Sequence, residues 1–207
     1  MVTERLLPPL VRLLERSRPG RSCLRTWRRL RSHRDASRPR VLCVGFAKTG
    51  TTSFGAAMRR LGFSHYGYDR DLEERRARGD LEACLELAGQ FDSLDDLPWC
   101  SPDLVAGFRR RFPGSRYVLL ERDETDWLRS YFAFYGEICP PDEALRRYRE
   151  HRDRVLEILA GEPNLLRMSV CAGEDYERLC PFLGLPVPNE PFPWIQPRAE
   201  TRNPAPG

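Results

Sequence analysis

The spacing of apolar residues changes character several times along the chain. Val41-Leu42-Cys43-Val44-Gly45-Phe46 is a short unbroken apolar run, as expected for a parallel strand buried on both faces. After the turn Ala47-Lys48-Thr49-Gly50, Phe54, Ala57, Met58 and Leu61 recur at helical spacing until Gly62 ends the pattern. Further strands are expected at Phe63 to Tyr68, Gln90 to Leu94, Arg116 to Glu121 and Asn164 to Val170. Helical patterns lie between them. Ser101-Pro102-Asp103 reads as a cap with proline in the first turn, ahead of a stripe of Leu104, Val105, Phe108 and Phe112. Asp123 is placed to cap a helix carrying Trp127, Leu128, Tyr131 and Phe132, and Pro141 opens a long one containing Leu145, Tyr148, Val155, Leu156 and Leu159. A last helix carries Tyr176, Leu179, Cys180 and Leu183, and the proline-rich tail from Gly184 is expected to run extended along the surface. Strands alternating with helices imply a three-layer α/β domain with a parallel sheet and right-handed crossovers.

Composition fits one such domain within 207 residues. No apolar run approaches the ~20 residues that span a bilayer, and Leu6 to Leu14, broken by Pro8, Pro9 and Arg12, makes a poor signal-peptide core; a cytoplasmic address is expected. Seven scattered cysteines with no C-x-x-C pair suggest neither a disulfide framework nor a zinc knuckle, and read as reduced, mostly buried thiols. The net charge of +4 conceals an asymmetry. Residues 1–40 hold twelve Arg against three acids, a net +9, so residues 41–207 carry −5. The chain therefore divides into an Arg-rich arm (1–40) and an α/β domain (41–207). The arm is expected to be a loosely docked extension, with peripheral contact to an anionic surface or partner as the functional alternative and no specific nucleic-acid role.

One basic residue stands apart: of 34 Lys and Arg, only residue 48 is Lys. A compact ammonium suits a tight anion loop better than a broad guanidinium does. Gly45-Phe46-Ala47-Lys48-Thr49-Gly50-Thr51-Thr52 lies at the carboxyl end of the first strand, where open parallel sheets bind ligands and where a helix N-terminus favours an anion. An ordinary glycine-containing strand-to-helix turn is the alternative. In the usual nucleotide loop, Lys follows the second Gly directly. Here it precedes Gly50 by two residues, which weighs against a nucleotide kinase. The later strand ends Leu119-Leu120-Glu121-Arg122-Asp123, offering a second cation in Arg122 rather than a lone metal-holding acid; an ion pair with a neighbouring acid is the alternative role for it.

These segments resemble the sulfotransferase superfamily. Ala47-Lys48-Thr49-Gly50-Thr51-Thr52-Ser53 is similar to its 5′-phosphosulfate loop. Phe112-Pro113-Gly114-Ser115, the following strand, Arg122 and Ser130 resemble its 3′-phosphate-binding segment, and Phe182 to Pro193 resembles the C-terminal signature of small bacterial-type members. The similarity runs from about residue 41 to 198. It implies a P-loop NTPase-like sheet flanked by helices and 3′-phosphoadenosine 5′-phosphosulfate (PAPS) as co-substrate, with no metal. Lys48, Thr49, Gly50, Thr51, Thr52, Ser53, Arg122 and Ser130 would hold the donor, and a small-molecule hydroxyl or amine would accept the sulfuryl group. Asp96, in Asp96-Leu97-Pro98, is the first candidate for general base, Asp69 the second and His65 the third. Phe132, Phe134, Tyr135 and Trp194 are candidates for lining an acceptor pocket or for core. A small-molecule kinase and a non-catalytic scaffold binding the donor or its product are the alternative functions.

Overall fold

The computed structural model describes residues 14, 16–30 and 32–195. Five strands, β1 (Val41–Cys43), β2 (His65–Tyr66), β3 (Ser93–Leu94), β4 (Arg116–Leu120) and β5 (Leu165–Met168), form one parallel sheet in the order β2-β3-β1-β4-β5. Eight α-helices are described, α1 (Arg18–Leu30), α2 (Thr51–Arg60), α3 (Arg70–Ala77), α4 (Leu81–Ala88), α5 (Pro102–Arg111), α6 (Glu124–Tyr135), α7 (Pro141–Ile158) and α8 (Tyr176–Leu183), with a single 3-10 turn at Val170–Ala172. This is the expected three-layer, P-loop NTPase-like α/β arrangement, with β1 at the centre.

Alternation along the strands assigns the two faces. Leu42, Tyr117 and Leu119 join Leu85, Leu104, Phe108 and Val155 on one side, while Val41, Cys43, Val118 and Leu120 join Phe54, Met58, Leu179 and Leu183 on the other. Both faces are therefore buried, which is why the strand sequences read as continuous apolar runs. A third cluster, with Trp127 stacked on Tyr131 and Tyr148, fastens α6 to α7.

The strands are shorter than the apolar runs that announced them. At β1 the apolar run reaches Phe46, but parallel pairing stops at Cys43 because the chain leaves the sheet to form the loop before α2. The arm also departs from the loose extension expected. Among its described residues, α1 buries Leu24 and is held by charge: Arg25 makes a two-pronged contact with Asp69 (2.8 and 2.8 Å), and Arg21 Nε lies 2.7 Å from Asp71. Residues 1–13 lie outside the described residues. After α8 the chain runs without regular structure, as expected of the tail. Arg60 Nη1 donates to the Pro191 carbonyl, and the Phe192 ring packs on Tyr176. All seven cysteines are free thiols and four of them are buried. Among the described residues, no helix is long and apolar enough to cross a membrane.

Candidate active site

The loop from β1 to α2 is shaped by residues that leave no alternative. A Cβ on Gly45 would lie 2.7 Å from Leu120 Cβ and 2.8 Å from Thr49 Oγ1, so only glycine lets the loop close onto β4. Gly50 (φ 106°) and Lys48 (φ 71°) are both in the left-handed region, uncommon for a lysine and a mark of a conformation imposed by its surroundings. Side-chain donors impose it. Thr49 Oγ1 donates to the Phe46 carbonyl (2.6 Å), Trp127 Nε1 to Ala47 (2.8 Å), Arg122 Nη1 to Lys48 (3.1 Å) and Cys171 Sγ to Thr49 (3.7 Å). Four successive carbonyls are thus turned into the protein. The backbone N–H groups of residues 46–53 donate to no described residue, and α2 begins without a side-chain cap. Unpaired N–H groups at a helix N-terminus form an anion site.

A cleft of about 410 Å³ opens over this loop. Lys48, Gly50, Thr51, Thr52 and Ser53 line one side, Arg122 and Ser130 a second, and Asp96 a third, so the structure brings together most of the residues singled out in the sequence. Lys48 makes no ion pair with a described residue; its Nζ lies 4.1 Å from the centre of the Phe134 ring. Burial, helped by the nearby Arg122 charge, lowers its pKa, and Asp96 opposes the shift. Arg122 is fixed through its backbone, since Tyr148 Oη accepts its N–H and donates to its carbonyl, each at 3.0 Å. The ion-pair alternative for Arg122 does not hold: Glu121 is taken by Arg167 (2.8 and 2.9 Å), and Asp123 accepts the N–H groups of Thr125 and Asp126 as the cap of α6. Arg122 Nε is buried without a hydrogen-bond partner in the structure. A buried guanidinium N–H with no protein acceptor keeps a donor that an anion could use.

Asp96 faces these cations from the β3 side. It too is left-handed (φ 64°), and one carboxylate oxygen accepts the N–H of Leu97 (2.8 Å). Burial first, then the neighbouring Asp95, push its pKa up to about 6, against the pull of the Leu97 N–H and Lys48. A carboxylate tuned to that range can collect a proton near neutral pH.

The other two base candidates lie elsewhere. Asp69 caps α3, accepting the N–H groups of Asp71 and Leu72, and receives the Tyr66 hydroxyl (2.6 Å) and both prongs of Arg25. Burial works against its charge, yet the bonds from Arg25 and Tyr66 hold its pKa below the usual range, which suits a structural anion rather than a base. The His65 ring is buried, with Nδ1 2.9 Å from Ser93 Oγ and Nε2 3.3 Å from Asp95. Both residues line a different cavity, beside α1. Thr49 uses its hydroxyl on the loop itself, and Ser53 Oγ accepts the N–H of Ile195 from the tail (3.0 Å). Phe134, Tyr135 and Trp194 line the cleft, while Phe132 packs in the α6–α7 cluster. Val170 and Cys171, from the turn after β5, were invisible to sequence reasoning because nothing local ties them to the loop.

Comparison with known proteins follows the same outline. The chain matches the sulfotransferase domain family over residues 40–139 and 133–201. It belongs to that family. The match takes in the loop, Asp96, Arg122, Ser130 and the tail as far as the described residues extend, and gives the chain a sulfotransfer-type function. Among solved structures, a gluconokinase from Sinorhizobium meliloti 1021 is similar at 18% identity and a TM-score of 0.48, covering 70% of this sulfotransferase-family chain and 90% of its own. No curated protein matches.

Proposed function

We propose that this chain transfers a sulfuryl group from PAPS to a hydroxyl or amine of a small-molecule acceptor. One observation carries the reading: two cations with no carboxylate partner among the described residues, Lys48 and Arg122, rise from the ends of adjacent strands into a single cleft faced by a carboxylate with a raised pKa. A donor with phosphate at both 5′ and 3′ positions needs two separated anion sites, and the residues fit that demand. The unpaired N–H groups of 46–53, with Thr51 and Thr52, suit the 5′ end; Arg122 Nε and the Ser130 hydroxyl suit the 3′-phosphate.

When bound, the donor supplies an activated sulfur whose bond to the 5′-phosphate oxygen breaks as the acceptor oxygen or nitrogen bonds to it, leaving 3′-phosphoadenosine 5′-phosphate. Lys48 acts on the negative charge that grows on the bridging oxygen, where a point charge in a partly desolvated site has most effect. Asp96 takes the acceptor proton; its raised pKa makes it a stronger base than an ordinary aspartate while leaving it ionised at pH 7. The wedge of Phe134 against Lys48 Nζ limits the positions that the ammonium can take up.

The test is transfer from PAPS to a panel of phenols, sugars and amines, with binding of 3′-phosphoadenosine 5′-phosphate followed by calorimetry. Lys48→Ala is expected to lower kcat about 100- to 1,000-fold. Mg²⁺-dependent ATP binding without binding of the bisphosphorylated nucleotide would overturn the reading in favour of a kinase. Tight nucleotide binding without transfer to any acceptor would leave a scaffold.

A further inference from the structure

Strands β2 and β3 run parallel with His65 opposite Ser93, and this register gathers three polar side chains beneath the donor cleft. Ser93 Oγ lies 2.9 Å from His65 Nδ1, and His65 Nε2 lies 3.3 Å from Asp95 Oδ1. The side chains of His65 and Asp95 are only 1% and 7% exposed, and Ser93 is fully buried. With the Ser93 hydroxyl donating to Nδ1 and the Nε2–H donating to the carboxylate, all three groups are satisfied around a neutral ring. Two glycines leave room for the pair. A Cβ on Gly55 would lie 2.5 Å from His65 Nε2 and 2.8 Å from Asp95 Oδ2, and one on Gly67 would lie 2.9 Å from Asp95 Oδ1.

The place of the pair gives its use. Asp95 is joined by a peptide bond to Asp96, and Gly55 belongs to α2, whose first residues line the donor cleft. We propose that His65 and Asp95 are positioning residues for Asp96: they pin the chain just ahead of it and supply the fixed negative charge against which it holds its proton. This rests on the sulfuryl-transfer reading and adds two residues to its machinery.

Pinning matters because Asp96 is left-handed (φ 64°), a conformation that its surroundings must impose. On one side the Asp95 N–H donates to the Tyr66 carbonyl (3.2 Å) and its carboxylate meets His65; on the other the Cys100 N–H donates to the Asp96 carbonyl (2.9 Å). Charge adds to this. Successive carboxylates in a partly desolvated place oppose each other's ionisation, and the imidazole favours the charged form of Asp95, so Asp96 is the one that keeps its proton longer. Lys48 from the loop attracts Asp96, and Arg59 from α2 attracts Asp95. The Cys43 and Cys100 thiols and the Tyr68 and Tyr135 phenols also feel these carboxylates, and burial holds all four neutral.

The test reads the Asp96 proton in the full chain without nucleotide. Its carboxyl ¹³C resonance, assigned by its loss in Asp96→Asn, is followed by NMR from about pH 4 to about pH 8. Asp95→Asn is expected to lower the midpoint by at least about half a pH unit, because the neighbouring charge is gone. His65→Gln, whose amide can donate to Asp95 in place of Nε2, should keep the wild-type midpoint. His65→Leu should lower it as Asp95→Asn does, since a buried carboxylate without its donor takes up a proton. In transfer assays the acid limb of kcat should move with the midpoint, while affinity for 3′-phosphoadenosine 5′-phosphate stays within about twofold and circular dichroism shows the variants folded. An unmoved midpoint in Asp95→Asn overturns the proposal, as does a His65→Gln midpoint that falls with that of His65→Leu, or an acid limb that stays put while the midpoint moves. A wild type that titrates as described but transfers no sulfuryl group counts against the transfer reading and leaves the coupling of Asp95 to Asp96 standing.

Discussion

Asp96 is the residue at which function and stability should pull in opposite directions. Its carboxyl has a pKa of about 6 in the folded protein, against the ordinary 3.8, because burial and Asp95 disfavour the charge. The native state therefore holds the proton more tightly than the unfolded chain does, and folding is favoured most when the group is protonated. The contribution of this group is full below pH 3.8, falls as pH rises toward 6, and is flat above. At about 1.4 kcal/mol per pH unit, the shift amounts to about 3 kcal/mol. The carboxylate borders a cleft open to solvent, which screens part of this, so about 1–3 kcal/mol is expected. Asp96→Asn removes the charge, keeps an acceptor for the Leu97 N–H, and suits the left-handed backbone, which asparagine tolerates well. Denaturant unfolding at pH 7 should find the variant more stable by that amount, the gap closing at pH 4. Transfer should fall about 100- to 10,000-fold, and the wild-type rate should rise with pH through an apparent pKa near 6. A variant no more stable than wild type at pH 7 refutes the electrostatic account, and one that keeps full activity removes Asp96 as the base.

Three further outcomes follow from the same geometry. Arg122→Gln should weaken binding of 3′-phosphoadenosine 5′-phosphate about 10- to 100-fold while adenosine 5′-phosphate loses little, as calorimetry would show. Arg25→Ala should lower stability by about 2–4 kcal/mol in urea at pH 7, because the Asp69 charge stays buried without its partner. Since the pKa of Asp69 is depressed in the native state, the stabilisation that Arg25 helps to provide is present above about pH 4 and disappears as pH falls below it, so the variant and wild type should converge in acid. Gly55→Ala would place a Cβ 2.5 Å from His65 Nε2 and 2.8 Å from Asp95 Oδ2; a loss of about 1–3 kcal/mol, measured by thermal unfolding, is expected despite alanine's better helix propensity.

What the sequence disclosed about the fold and the site follows the range of the interactions involved. β1, the loop and α2 are one continuous segment whose apolar run, glycines and helical spacing are all local, so the pattern of that segment alone puts Lys48 at a strand end. Arg122 and Ser130 were legible for the same reason, as one strand end and the helix after it. The docking of α1 was not. Its only buried residues are Gly20 and Leu24, too few for an apolar pattern, and its attachment depends on Arg25 meeting Asp69, 44 residues away. Asp69 shows the complementary limit. The family resemblance made it a candidate base, but the commitment of its oxygens to Arg25, Tyr66 and two backbone N–H groups is a tertiary fact. Strands β2 and β3 pair over only two residues each, so their limits are set by their neighbours more than by their own composition.

The cleft's charged groups share one condition that ties fold to chemistry. Burial pulls Lys48 down in pKa and pushes Asp96 up, so each is biased toward its neutral form, and Arg122 adds to the pressure on Lys48. Yet Arg122 cannot move away, because its guanidinium holds the Lys48 carbonyl and Tyr148 holds its backbone at both ends. The two cations are therefore kept close by hydrogen bonds that oppose their repulsion. An anion between them would relieve that repulsion, strengthen the ammonium's positive charge and satisfy Arg122 Nε together. The cost of assembling such a site is met by the large aromatic cluster beneath it, in which Trp127 both stacks on Tyr148 and anchors the Ala47 carbonyl. The same tryptophan thus packs the core and sets the loop, so the cleft's opposed charges can persist as they stand, and under the proposed reading a polyanion would enter with little rearrangement.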